Sequence, residues 1–295
     1  MRLPPIRSWL YAPGNNPKLL ERVFTAGADA VILDLEDAVP TGEKLRARAM
    51  VAETVRARAG SAGPAVFVRI NHPETDLGRA DTEAAVGLGL DGLRIPKVES
   101  AQSVRLVETW TGGRVPLVCN IESAVGGLRA TQIASASPQV LTLAFGAADF
   151  LRDVGGAATG DALETLHARS HLVLAARAGR LRPPVEGVYT RLDDDVGLAH
   201  TTRQSRALGF FGRSALHPRQ VPIINAIFTP SEQEIMRARE VVEAAASAET
   251  AGSGAIRLPN GDFVDIAIVR RAQATLELAQ ALADAAAGRR PHTSG

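Results

Sequence analysis

The sequence predicts an α/β protein of the (β/α)₈ TIM barrel class with a C-terminal extension. Short runs rich in β-branched and other apolar residues recur along the chain, and a helical pattern of apolar residues follows each run. Such alternation predicts parallel strands joined by helical crossovers. Eight units, with no early glycine-rich dinucleotide loop, favour a closed barrel over a doubly wound sheet. The length of 295 residues is common for a single barrel domain.

The eight predicted strands are short apolar runs, several of them ending in polar residues. In chain order they are Ser8–Pro13, Ala30–Glu36, Ala65–Asn71, Gly92–Val98, Val115–Glu122, Val140–Gly146, Pro184–Tyr189 and Phe210–His217. Helix signals fit between them: Pro17 after Asn16 occupies a first helical position, and Gly179 would end a helix over Asp161–Ala178. We assign residues 1–229 to the barrel domain.

Residues 230–295 are predicted to form a helix–hairpin–helix extension that serves as a lid. Its first helix begins at a capping box formed by Ser231 and Glu234. A hairpin with a type I′ turn at Asn260-Gly261 follows, and an alanine-rich helix ends the extension. The two helices and the two hairpin strands are Ser231–Glu249, Val269–Ala286, Ile256–Pro259 and Asp262–Ile266.

The composition narrows the class of function. The formal net charge is +1 with both signs mixed, so no basic surface for nucleic acid is expected. The one cysteine, Cys119, fits a reducing compartment. Residues 1–7 lack the apolar run of a signal peptide, and no run of 18 apolar residues could cross a membrane. We therefore expect a cytoplasmic enzyme with no membrane partner.

Polar residues near the carboxyl ends of the strands carry the candidate chemistry. Side chains alternate across a strand, so residues flanked by outward apolar residues point into the barrel. The inward residues predicted in this way are Asp34, Glu36, Arg69, Asn71, Asn120 and Glu122, and Asp149 follows the sixth strand. In a barrel these strand ends meet at the active-site face.

Three acids, Glu36, Glu122 and Asp149, are therefore expected at one rim with Arg69 beside them. Grouped carboxylates need positive charge, and one arginine does not balance three or four acids. A divalent cation would do so, and oxygen ligands alone favour Mg²⁺, with Mn²⁺ also possible, over Zn²⁺. For any single acid the alternative is a helix cap or a solvated group, and Arg69 alone could be a structural ion-pair partner.

The ordered motifs resemble the citrate lyase β-subunit-like (CitE-like) branch of the HpcH/HpaI aldolase superfamily, which includes malyl-CoA and citramalyl-CoA lyases. The resemblance covers nearly the whole chain, and it is the order of the motifs that makes it specific. The matching segments are Trp9–Asn15, Val31–Asp37, Val68–Asn71, Ile95–Glu99, Asn120–Ser123, Phe145–Asp149, Leu216–Gln220 and Asn260–Asp265.

The resemblance implies a role for each matching residue. Glu122 and Asp149 match the Mg²⁺ ligands, and Arg69 matches the arginine that grips the oxygens of the keto acid. Glu36 and Asp37 match an acidic pair near the metal and its waters.

Further positions concern the thioester carrier and the proton. Asp265 matches an acid that reaches the active site of a neighbouring subunit, although the residues alone favour an N-cap of the last helix. Lys97 and Asn15 are assigned to the CoA thioester, and a simple rim charge is the alternative for Lys97. Asn16 stands where the family often has arginine, which puts carrier recognition in doubt.

Other titratable positions have structural alternatives. Glu186 stands where aspartate is expected from the family. His217 could carry a proton, but a His-Pro turn is more often structural. His167 and His171 lie one helical turn apart, and solvent exposure is favoured over a metal pair for them.

The resemblance implies a Mg²⁺-dependent carbon–carbon lyase. A 3-hydroxy-3-carboxyacyl-CoA, such as citramalyl-CoA or malyl-CoA, would split into acetyl-CoA and a 2-oxo acid, with the CoA thioester as substrate rather than bound cofactor. Asp265, or failing it Glu36, would handle the proton of the acetyl methyl group. A homo-oligomer, a trimer or a dimer of trimers, is expected by family analogy.

Three alternatives stay open at this point. The first is a citrate lyase β subunit acting on a citryl group carried by an acyl carrier protein. The second is a class II aldolase for free hydroxy-oxo acids. The third is a barrel kept as a non-catalytic subunit, against which the intact Arg69, Glu122, Asp149 and Asp265 argue.

Overall fold

The computed structural model describes residues 3–250, 256–257 and 263–288. The chain divides into two compact units. One comprises residues 6–228, and the other comprises the C-terminal region from residue 229 together with the first five residues.

The larger unit contains a parallel sheet of seven strands. The strands are β1 Ser8–Pro13, β2 Ala30–Asp34, β3 Ala65–Arg69, β4 Gly92–Ile95, β5 Leu117–Ile121, β6 Val140–Phe145 and β7 Arg213–Ala215. Their order is β6-β5-β4-β3-β2-β1-β7, and every adjacent pair is parallel. Because β1 pairs with both β2 and β7, the two ends of the chain order become neighbours in the sheet.

The predicted seventh strand, Pro184–Tyr189, is wrong as a full strand. Only two parallel bridges form there, from Val185 to Ala144 of β6 and from Glu186 to Arg213 of β7. The tandem prolines before Val185 lack an N–H and cannot donate to the ladder, which limits the strand at its start. The two bridges nevertheless connect β6 with β7, as expected of a TIM-like barrel.

Helices follow the strands in the expected alternation. They are α1 Pro17–Arg22, α2 Lys44–Ala57, α3 Asp76–Ala85, α4 Ala101–Thr111, α5 Ala124–Leu128, α6 Ala130–Ala134, α7 Ala147–Val154, α8 Leu166–Ala178, α9 Asp195–Leu208 and α10 Gln220–Phe228. Pro17 is the first residue of α1, and Asn16 caps it by accepting from the Leu19 N–H, as predicted. The α8 helix ends before Gly179 as predicted but begins at Leu166, after a 3₁₀ turn at Leu163–Thr165.

The strands bury side chains on both faces. Leu10 and Val31 belong to the apolar layer between the sheet and the helices. Trp9 occupies the opposite face of β1, and its ring lies 4.7 Å from the ring of Phe67, so aromatic side chains fill the barrel interior. Gly92 of β4 is required beside them, because a Cβ at this position would overlap the Phe67 ring.

The C-terminal unit contains α11 Glu232–Thr250, β8 Ile256–Arg257, β9 Phe263–Val264 and α12 Ile266–Gly288. The capping box is confirmed, because Glu234 accepts from the Ser231 N–H at 2.8 Å and donates its own N–H to Ser231 Oγ at 3.2 Å. The β8 and β9 strands pair antiparallel, whereas the predicted turn at Asn260-Gly261 lies outside the described residues. Within the described ranges, no helix combines the length and apolar character needed to span a membrane.

Candidate active site

A cavity of about 430 Å³ opens at the carboxyl ends of the barrel strands. Six of the residues predicted for the site line it: Asp34, Asp37, Arg69, Asn120, Glu122 and Asp149. A larger cavity of about 900 Å³ lies between α11 and α12, but none of the described residues that line it is a predicted site residue. The predicted site residues that meet therefore do so in the barrel cavity.

Arg69, the last residue of β3, is held by two acids. Its Nε and Nη2 atoms donate to the two carboxylate oxygens of Asp34 on β2 at 2.7 and 2.6 Å. Its Nη1 atom lies 2.8 Å from Glu36 Oε2. These contacts fix the guanidinium plane, so the structural ion pair considered as an alternative for Arg69 is present in the cavity wall.

Lys97 supplies a second cation that the charge count from the sequence omitted. Its Nζ atom contacts Glu36 Oε1 in a short ion pair and lies 3.2 Å from Asp37 Oδ1. Burial lowers the pKa of Lys97, but the hydrogen bond and charge of Glu36 and the charge of Asp37 outweigh it and raise that pKa to about 12. The expectation that one arginine faces all the acids is therefore wrong, because Lys97 pairs with Glu36 and Asp37 beside it.

Glu122 is the acid that these cations leave uncompensated. It follows β5, is 5% exposed and accepts a short hydrogen bond from the Asn120 amide at Oε1. Its Oε2 atom is buried and has no hydrogen-bond partner among the described residues. Burial raises the pKa of Glu122 to about 7, and the charge of Glu36 adds to the rise. Such a carboxylate is suited to accept a ligand from the cavity.

Asp149 lines the same cavity from the first turn of α7. Its side chain is 25% exposed, and its Oδ1 atom pairs with Arg152 at 2.7 Å. Gly146, at the end of β6, makes room for the neighbouring acid, because a Cβ there would overlap Glu122 Cγ. The two acids that the resemblance assigns to Mg²⁺ therefore share one cavity.

The donor set fits a hard divalent cation bound by few protein ligands. Across the described ranges, no cluster of three or more His, Cys, Asp or Glu side chains could hold a metal ion. Glu122 Oε2 and Asp149 would be the protein ligands, leaving other positions for water and substrate oxygens, as is usual for Mg²⁺.

Several predicted residues have other contacts. Asn15 donates to Glu43 at 2.9 Å and is not among the described residues that line the cavity. Asn71, predicted to point inward, instead donates to Asp81 of α3 at 2.6 Å, because β3 already ends at Arg69 and the alternation stops there. Asp265 caps α12 by accepting from the Ile268 N–H at 2.8 Å, which the residues alone favoured.

The histidines and Glu186 have structural surroundings. His217 Nδ1 accepts from the Arg219 N–H at 3.2 Å, as expected for a turn. His167 is exposed on α8, and its ring stacks on that of His171 at 6.4 Å. Glu186 forms a buried ion pair with Arg169 of α8 at 2.6 Å, a contact made from the segment that bridges β6 and β7.

Two cavity residues were not assigned a role from the sequence. Arg94 of β4 is 2% exposed, and its Nε atom donates to Asn120 Oδ1 at 2.7 Å. Tyr11 of β1 lies near both guanidinium groups, with the Cζ atoms of Arg69 and Arg94 at 4.9 and 5.3 Å from its ring centre. The signal for Arg94 was present, because it stands between two apolar residues of a strand just as Arg69 does.

Comparison with known proteins matches residues 7–218 to the family described as HpcH/HpaI aldolase/citrate lyase. The chain is 35% identical over 285 residues to citrate lyase subunit beta of Leuconostoc mesenteroides subsp. cremoris, covering 93% of each chain. It is 36% identical over 279 residues to a (3S)-malyl-CoA thioesterase of Cereibacter sphaeroides, covering 95% of this chain and 96% of the relative.

Solved structures show the same relationship. The protein CitE of Mycobacterium tuberculosis, in complex with magnesium, acetoacetate and coenzyme A, superposes with a TM-score of 0.78 and 28% sequence identity. The match covers 95% of this chain and 100% of that one.

Proposed function

We propose a reaction for this chain from one premise: the chain belongs to the HpcH/HpaI aldolase/citrate lyase family of enzymes. The reaction is the Mg²⁺-dependent cleavage of a 3-hydroxy-3-carboxyacyl-CoA, such as citramalyl-CoA or malyl-CoA, to acetyl-CoA and a 2-oxo acid. The reverse condensation would use the same site. The observation that carries the proposal is the buried Oε2 atom of Glu122, which lacks a partner among the described residues and lines one cavity with Asp149 and Arg69.

Glu122 and Asp149 would hold the cation. A bound Mg²⁺ supplies Lewis acidity toward the substrate oxygens and a template that orients them. Mn²⁺ would be accepted by the same oxygen donors. The magnesium in the related CitE complex supports this choice of ion.

Arg69 would stabilise the charge that shifts onto the keto oxygen as the carbon–carbon bond breaks. A guanidinium has five N–H groups, and three contacts join Arg69 to Asp34 and Glu36. Arg69 also lines the cavity, where its remaining N–H groups would meet the substrate. Because the acids already fix the guanidinium, no further ordering is needed when charge develops, which favours catalysis.

We propose Asp265 of a neighbouring subunit as the group that transfers the proton of the acetyl methyl carbon, in a homo-oligomer such as a trimer or a dimer of trimers. Its place directly after β9 fits a residue carried by a lid. Glu36 is the weaker alternative, because Arg69 and Lys97 already occupy its two carboxylate oxygens. Asp37 would contribute with Glu36 to the acidic surroundings of the cation.

The thioester carrier has two candidates. Lys97 and Asn15 lose support as CoA contacts, since Glu36 and Glu43 already bind them. The 35% identity to citrate lyase subunit beta supports an acyl-carrier-protein substrate as the second candidate. The extension beyond residue 229 does not separate the two, because the alignment with that subunit leaves only about 7% of this chain uncovered, far less than the extension.

In the decisive experiment, the purified chain is incubated with Mg²⁺ and, separately, with each of four substrates. These are malyl-CoA, citramalyl-CoA, citryl-CoA and a citryl-acyl carrier protein. Release of the 2-oxo acid is followed in each case. We expect turnover of a CoA thioester that is lost by ~10³-fold or more in Glu122→Gln and Asp149→Asn. Turnover of the citryl-acyl carrier protein alone would establish the second candidate. Near-normal turnover in both variants would reject the assigned cation site.

A further inference from the structure

The carboxylate of Glu122 is anchored on one side only. Asn120 of β5 donates its side-chain amide to Glu122 Oε1, while Oε2 is buried without a partner among the residues described. Anchoring one oxygen restricts rotation of the carboxylate and therefore sets the direction of the other. Asn120 thus controls how Glu122 presents its free oxygen to the cavity.

Arg94 in turn fixes the orientation of the Asn120 amide. The oxygen and nitrogen of an asparagine amide can exchange places unless hydrogen bonds distinguish them. Arginine has only donors, so the atom that faces Arg94 Nε at 2.7 Å must be Oδ1 of Asn120. The NH₂ group of Asn120 then faces Glu122, and a flipped amide would break both hydrogen bonds.

Arg94 is a buried cation that reaches the Glu122 carboxylate through Asn120 rather than by direct contact. Arg94 is 2% exposed, and its Nη1 atom is buried with no hydrogen-bond partner in the described part of the chain. Burying a guanidinium with an unsatisfied N–H costs free energy, so its presence here points to a role in the fold or the site. The hydrogen bond from Arg94 Nε leads through Asn120 to Glu122, so the three side chains form a single relay from guanidinium to amide to carboxylate.

We infer that Arg94 and Asn120 are positioning residues that hold Glu122 in the orientation that binds the divalent cation. The inference rests on the proposed function, because it requires Glu122 to be a cation ligand. Neither residue is assigned a contact with the cation or the reacting atoms. Partners of this kind fix the orientation of a ligand, and their loss weakens metal binding 10- to 100-fold.

The test measures Mg²⁺ binding to the metal-free full-length chain by titration calorimetry, without any substrate. We expect Asn120→Leu and Arg94→Met each to raise the Kd for Mg²⁺ 10- to 100-fold. Because the two act in series, the double variant should bind no more weakly than the weaker single variant. Arg94→Lys keeps a donor for Asn120 Oδ1, so its Kd should lie between those of the unsubstituted chain and Arg94→Met.

Cys119→Ala is the matched control. Cys119 lies next to Asn120 on β5 but packs in the apolar layer outside the barrel, so its truncation removes packing without touching the relay. We expect a lower Tm and a Kd for Mg²⁺ within twofold of the unsubstituted chain. Should Asn120→Leu fail to fold, Asn120→Ser provides the same comparison, because a serine side chain is too short to bridge Arg94 and Glu122.

Each outcome has a distinct meaning. A Kd within twofold of the unsubstituted chain for the position-120 variant, or fully additive losses in the double variant, would overturn the positioning role and leave the proposed function intact. An unsubstituted chain that binds no Mg²⁺ would overturn the cation site and the positioning role together.

Discussion

Replacing Glu122 by glutamine should make the metal-free protein more stable while abolishing its cation site. Glutamine keeps an oxygen that accepts from Asn120 but removes the charge that is buried in the cavity wall. Burial raises the pKa of Glu122 from an ordinary value of 4.5 to about 7. The folded state therefore holds its proton more tightly than the unfolded state, so this residue lowers stability as pH rises through that interval.

The magnitude follows from the pKa difference. Between 4.5 and about 7, at 1.36 kcal/mol for each pH unit, the penalty reaches roughly 3 kcal/mol at pH 8 and stays below about 1 kcal/mol at pH 5. With an unfolding entropy of about 2.1 cal/mol/K per residue over 295 residues, the gain at pH 8 corresponds to ~5 °C in Tm.

Thermal unfolding of the two proteins in a chelator, at pH 5 and pH 8, measures this difference. We expect Glu122→Gln to exceed the unsubstituted chain in Tm at pH 8 and to approach it at pH 5. Asp149→Asn is the control, because its side chain is partly exposed and paired with Arg152, so it should lose the cation without gaining stability. Equal or lower stability of Glu122→Gln at pH 8 would refute the buried, uncompensated carboxylate.

Three further predictions follow from the same contacts. The apparent Kd for Mg²⁺ should be about tenfold higher at pH 6 than at pH 8, because with a pKa of about 7 the Glu122 carboxylate binds a proton in competition with the cation. Calorimetry at both pH values measures this, and an equal Kd at the two would contradict it. Gly146→Ala should weaken Mg²⁺ binding at least ~10-fold, since the added Cβ overlaps Glu122, and unchanged affinity would contradict that contact. Arg169→Met should lower the free energy of unfolding by about 3–5 kcal/mol in denaturant titrations, because it leaves Glu186 buried and unpaired; Arg169→Met with Glu186→Gln should recover part of the loss.

The fold was largely predictable because its signals are local. Apolar alternation located the six strands β1 to β6, and β7 lies within the predicted eighth strand, Phe210–His217. The start of α1 followed from Asn16 and Pro17. The segment after the tandem prolines failed as a strand, because strand formation there depends on N–H groups that proline lacks and on partners distant in the chain. Local periodicity describes a single element, whereas the two bridges of this segment depend on the positions of β6 and β7.

Alternation predicted the direction of site residues that lie in a strand, such as Arg69, or directly after its last residue, such as Glu122. Alternation within β3 correctly directed Arg69 into the barrel. It gave no account of Lys97, which lies beyond the end of β4 in a backbone conformation with a φ of 49° and turns toward Glu36 and Asp37. Pairing of this kind depends on the path of a loop, which carries no periodic signal.

The cavity acids sort into two groups by what they contact, and this division supports the assignment of ligands better than their number does. Asp34 and Glu36 are bound to Arg69, and Lys97 completes the neutralisation of Glu36, so these acids serve to fix cations in place. Glu122 has no such direct cation among the residues described, only the amide that Arg94 orients. A divalent ion would therefore be drawn to Glu122 rather than to the more acid-rich side of the cavity, because only there is buried negative charge left over.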